Sequence, residues 1–88
     1  MYRYKEVIQI FLAERIKTSR KQHGLTQEAM AETLNISSRS YSYLESGTFC
    51  CSASTLMFYI LILTDAELIQ LRLEFRALVE KEEHNVVA

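Results

Sequence analysis

The sequence predicts an all-α chain, and three observations carry that reading. There is no proline, and only two glycines, Gly24 and Gly47, occur in 88 residues. Apolar residues recur at helical spacing rather than in alternation. A serine or threonine stands where a cap belongs ahead of each internal helical pattern, at Thr26, Ser37, Ser52 and Thr64. Strand and hairpin signals are missing. The length predicts one domain spanning 1–88.

The first helix is expected from about Tyr4 to Gln22, with Val7, Ile8, Phe11, Leu12 and Ile16 on a broad apolar face. Gly24 is placed to end it in a left-handed turn. Thr26 then caps a second helix, Gln27 to Leu34, with Ala29, Met30, Ala31 and Leu34 as its apolar positions. Ser37 caps a third, Ser38 to about Glu45, with Tyr41 and Leu44 facing inward and Gly47 stopping it. Ser52 caps a fourth, Ala53 to about Leu63. The stretch Thr64-Asp65-Ala66-Glu67 is a capping box that starts a fifth helix, running to about Glu82. His84 to Ala88 are expected to fray.

Composition removes several function classes. The longest apolar run, Leu56 to Leu63, is far shorter than the roughly 20 residues a membrane span needs. No signal peptide is evident, so a soluble, cytoplasmic protein with no membrane partner is expected. The adjacent Cys50 and Cys51 read as reduced thiols, because neighbouring cysteines bridge only with strain. His23 and His84 are isolated, so neither a metal site nor a cofactor is expected. No histidine is patterned with a nucleophile and a carboxylate, and no glycine-rich phosphate loop exists. The expectation is a non-enzyme with no catalytic residues and no small-molecule ligand. Nearly half of the residues are hydrophobic (49%), a high share for so short a chain, and that surplus hints at a second buried surface.

Charge is uneven. The net charge is -1, yet residues 1–48 carry seven basic against five acidic side chains and residues 49–88 carry three against six. An anion-binding face is therefore expected in the first half.

Residues 26 to 45 read as helix, very short turn, helix. That is the helix-turn-helix unit, whose second helix can enter the DNA major groove. Small Ala29 and Ala31 allow close approach of the two helices, while Ile36 and Leu44 anchor the turn and the second helix.

Residues 16 to 63 resemble the Cro/Xre, or lambda-repressor-like, helix-turn-helix family. The likeness rests on Ile16, Arg20, "GLTQ" at 24–27, Ala31, "LNIS" at 34–37, "LESG" at 44–47, Ser52 and Leu56. It implies a five-helix DNA-binding domain and a transcriptional regulator, a repressor by expectation, that binds double-stranded DNA as a homodimer. Gln27 would then reach phosphate and a base from the start of the second helix. Ser37, Ser38, Arg39 and Ser42 would form the outward face of the recognition helix, and Tyr43 would touch the backbone. Arg20 and Glu45 match an ion pair that ties the first helix to the end of the third, a structural role. Lys17 and Lys21, with Arg15, would add cations for phosphate, as would the N-termini of the second and third helices.

The chain departs from that family in two places. Cys51 stands where the family usually has proline, and the fourth helix, "ASTLMFYILIL", is apolar almost all round. A helix apolar on every face must be covered on every face. In the fifth helix Leu68, Leu71, Phe75 and Leu78 form a short a/d seam, so dimerisation through the fourth and fifth helices is expected there, the other reading being a helix that completes the core of the single chain. The competing reading is a protein-interaction module of the antirepressor or antitoxin kind. The near-neutral charge and the serine-rich recognition helix allow it.

Overall fold

The structure is a computed structural model that describes residues 3–87. Five helices follow one another: α1 (Arg3–Gln22), α2 (Gln27–Thr33), α3 (Ser38–Glu45), α4 (Ala53–Ile62) and α5 (Asp65–Val87). Among the described residues there is no strand. The all-α architecture with a helix-turn-helix is as the sequence predicts.

The caps explain the boundaries. Thr26, Ser37 and Ser52 are all extended, and each side chain accepts a hydrogen bond from the backbone N–H three residues on. Each cap satisfies one of the donors a helix start leaves without a partner. At α5 the capping box closes in both directions: Thr64 Oγ1 accepts from the Glu67 N–H at 3.1 Å, and Glu67 Oε1 accepts from the Thr64 N–H at 2.9 Å. Gly24 and Gly47 both have positive φ, at 68° and 77°, where side chains are strained. Asn35 joins them with φ 62°, which turns the chain between α2 and α3; asparagine tolerates this region better than most residues.

Three boundaries fall short of or beyond the expectation. Helix α2 ends at Thr33, with Leu34 as its cap. Leu63 does not extend α4 but is extended, leading into the α5 cap. The tail expected to fray from His84 instead continues α5 to Val87, and Ala88 lies outside the described residues. Extending a nucleated helix costs little, and Tyr4 Oη donates to the Glu83 carboxylate, tying the far end of α5 to the start of α1.

The core lies where α1, α2, α3 and α4 meet. Leu12, Ile16, Met30, Ala31, Leu34, Tyr41, Leu44 and Tyr59 are buried there. Packing is closest between α2 and α3 and next between α1 and α3. Ala31 is the small buried residue that permits the first of these approaches. Helix α5 packs across α1: Phe75 meets Phe11 with ring centroids 5.6 Å apart, and Leu71 packs on the core.

Candidate nucleic-acid interface

Helix α3 has two sides. Tyr41 and Leu44 are buried, while Ser38, Arg39, Ser42 and Tyr43 are exposed. At about 100° per residue those four exposed positions fall on one arc, opposite Tyr41 and Leu44. Burying the apolar side therefore aims the hydroxyls and the guanidinium outward. Arg39 has no hydrogen bond or ion pair to any described residue, so its full donor fork is available. Ser37 is committed locally, because its Oγ accepts from the Ser40 N–H at 3.1 Å and donates to Ser40 Oγ at 3.0 Å.

A polar cluster built on Glu45 holds α3 in place. Arg20 donates to it twice, Nε to Oε2 at 2.8 Å and Nη2 to Oε1 at 3.1 Å. Tyr41 Oη donates to Oε2, and Gln27 Nε2 donates to Oε1 at 2.8 Å. Arg20 also donates to the Leu25 carbonyl at 3.0 Å, binding the α1–α2 turn into the same cluster. The two charged side chains are only 14% and 6% exposed. Burial pushes the Glu45 carboxyl up, but donation from Arg20, Tyr41 and Gln27 outweighs it and holds the carboxyl below its usual range. Burial and the bond to Glu45 push the Tyr41 phenol well above its usual range.

The cations expected to meet phosphate divide into two groups. Arg15 is paired with Glu74 of α5 at 2.6 Å, and Arg20 with Glu45, so neither is a free phosphate ligand. Lys17 and Lys21 are exposed and make no hydrogen bond or ion pair to described residues. Lys17 lines a cleft with Glu45, Ser46 and Gly47 at the C-terminal end of α3. Gln27 reaches the same end through Glu45. Ser37, Ser38 and Arg39 stand at the other end of α3, about 12 Å away along an eight-residue helix. Among the candidate contacts, Ser37, Ser38 and Arg39 thus stand at one end of the recognition helix, Gln27 and Lys17 at the other, and Ser42 and Tyr43 between them.

Several participants carry weak sequence signals. Tyr59 is buried, its hydroxyl 2.7 Å from Ser19 Oγ and donating to the Arg15 carbonyl at 3.1 Å. Ser19 continues the helical line of Leu12 and Ile16, which was the available signal. Gln9 donates to the Gly47 carbonyl at 2.7 Å and pins the turn after α3 to α1. Phe49 packs edge-on against Tyr43 with centroids 5.9 Å apart, extending the exposed aromatic surface beyond α3.

The seam expected to face a second subunit faces mostly inward. Leu71 packs on the core, Phe75 on Phe11, and Leu78 is half-buried beside Val7 and Phe11. Only Leu68 of the four is exposed. Helix α1 is apolar toward α5, so it takes the surface that a partner was expected to take.

A family model described as a helix-turn-helix domain matches residues 13–78. The chain belongs to this helix-turn-helix family. No curated protein and no solved structure matches it. The match starts within α1 and ends within α5, so it includes the Arg20–Glu45 cluster and the whole helix-turn-helix. Membership points to a DNA-binding regulator in general. Cys50 is exposed and Cys51 half-buried, both as free thiols. Among the described residues no group of three or more ligating side chains could hold a metal, and no helix is long and apolar enough to cross a membrane.

Proposed function

We propose that the chain is a sequence-specific regulator of the Cro/Xre type, a transcriptional repressor that acts as a homodimer on double-stranded DNA in the cytoplasm. The observation that carries this reading is the exposed arc of α3, where an unpaired Arg39 stands between Ser38 and Ser42 on a helix braced by the Glu45 cluster. Arg39 reads guanine through its two-pronged donor face. Ser38 and Ser42 bond to base edges of either kind and discriminate less. Ser37 contributes through its cap more than through DNA. Tyr43, Lys17 and Lys21 meet the sugar-phosphate backbone. Gln27 has one amide hydrogen committed to Glu45, which leaves the other and the carbonyl oxygen for phosphate and base.

A second reading, a protein-docking module, has one observation in its favour. Helix α2, which packs against the recognition helix, exposes Glu28 and Glu32, and acidic side chains near the interface would oppose phosphate. Selection of bound duplexes from a random pool at low salt separates the two. Enrichment of a near-palindromic site supports the regulator. Recovery of no DNA sinks it and leaves the docking module.

A further inference from the structure

We propose that the groove between α1, α4 and α5 binds a medium-chain fatty acid, with the acyl chain laid in the groove and the carboxylate held at its mouth by Arg72. The proposal stands apart from the DNA reading, because none of the candidate DNA contacts lines this groove.

The first support is the shape of the site. Leu68, Leu71, Arg72 and Phe75 recur at helical spacing along one side of α5. Across from them stand Ile8, Phe11 and Leu12 of α1, with Leu56 and Ile60 a turn apart on α4. Between these residues the three helices leave open a groove of about 250 Å³ whose wall is wholly apolar. Water in such a groove finds no hydrogen-bond partner on the wall. Hydrocarbon placed there withdraws apolar surface from water on both sides. The volume lies below the ~300–1,000 Å³ of sites for drug-sized ligands, so it suits one slender chain and not a two-chained lipid. The sequence carries no sign of the site, because its lining is gathered from three helices and forms no local motif.

The second support is charge. Among the described residues that line the groove, Arg72 is the one that carries charge. It adds only carbon to the wall, so its stem lies along the groove and its guanidinium stands at the mouth. Arg72 is exposed and makes no hydrogen bond or ion pair with any described residue. Arg76, one turn further along α5, is exposed and unpaired in the same way. Two such guanidiniums a turn apart attract an anion, and their planar forks match a carboxylate. An alkane would leave Arg72 unanswered, and an alkylamine would be repelled by it. A chain that is apolar along its length and anionic at one end satisfies both features.

Titration calorimetry of the full chain with octanoate and decanoate, each below its micelle concentration, tests the site. Both should bind, and decanoate roughly tenfold more tightly, because each further buried methylene contributes about fourfold. Arg72→Ala, at an exposed position, should weaken decanoate by at least about tenfold. Lys81→Ala, which removes an exposed cation farther along α5, should leave decanoate binding unchanged. Decanol keeps the chain and loses the charge, so it should bind more weakly than decanoate and equally to wild type and R72A. In methyl-resolved NMR spectra decanoate should shift the Ile8, Ile60 and Leu68 signals. Absence of binding overturns the proposal, as does an affinity indifferent to Arg72 or an equal loss in Lys81→Ala. Shifts centred instead on Ile10 or Phe49, which are exposed elsewhere on the surface, overturn it as well.

Discussion

Single side chains divide sharply here into those that hold α3 and those it presents. Arg39 belongs to the second group. Arg39→Ala should cost about 1–3 kcal/mol of discrimination at one base pair and leave the melting temperature unchanged. Competition binding against single-base operator variants checks this, and an unchanged base profile would remove Arg39 from the readout. Arg20 belongs to the first group. Replacing it by methionine strands the Glu45 carboxylate in a mostly buried site and should cost roughly 3 kcal/mol of stability in urea unfolding. The same cluster gives stability its pH dependence. The Glu45 carboxyl is held low, so its contribution is present at neutral pH and is lost as pH falls through and below the ordinary carboxylate value near ~4.3. The Tyr41 and Tyr59 phenols are pushed up, so theirs is present below ~10 and is lost as pH rises above it. Tyr41→Phe should therefore flatten the alkaline limb of a stability-versus-pH curve. An alkaline limb of unchanged steepness would show that Tyr41 does not set it.

At the scale of elements, start and stop signals do most of the placing. Four caps and two glycines put every internal helix within a residue or two of its expected place, because caps and left-handed turns act locally and need no tertiary partner. Thr64→Ala opens the capping box at its threonine side and should cost about 1 kcal/mol by thermal unfolding. The C-terminal end of α5 runs past the expected Glu82, and the long-range bond from Tyr4 to Glu83 near that end is one no local pattern announces. The apolar seam of α5 was visible as a seam, but spacing alone does not say which surface it meets. Leu71, Phe75 and Leu78 meet α1 of the same chain, which leaves Ile69 and Leu73 outside.

For the whole molecule, salt dependence reports how many cations reach DNA. Lys17 and Lys21 are the unpaired candidates for phosphate in each copy, while Arg15 is tied to Glu74. A dimer placing its four lysines on phosphate should lose affinity with a slope of log K against log salt of about -4, and a monomer about -2. Titrations at several salt concentrations measure the slope directly. A value near zero would contradict DNA recognition by this face.

The sequence by itself determined the helices, their caps and the two-sided character of α3, and the Arg20–Glu45 pair came from its resemblance to a known family. The first three follow from local hydrogen bonding and helical period. Only the tertiary structure decided how partners are shared. It joined Tyr41 and Gln27 to Glu45, took Arg15 away to Glu74, and set the Tyr59 hydroxyl against Ser19. It also turned one face of α5 onto α1 and left the other bare. These choices depend on which helix faces cross in space. Residues 40 or more apart in the chain compete for the same surface there, and a sequence pattern shows what a face is made of without showing what it will meet.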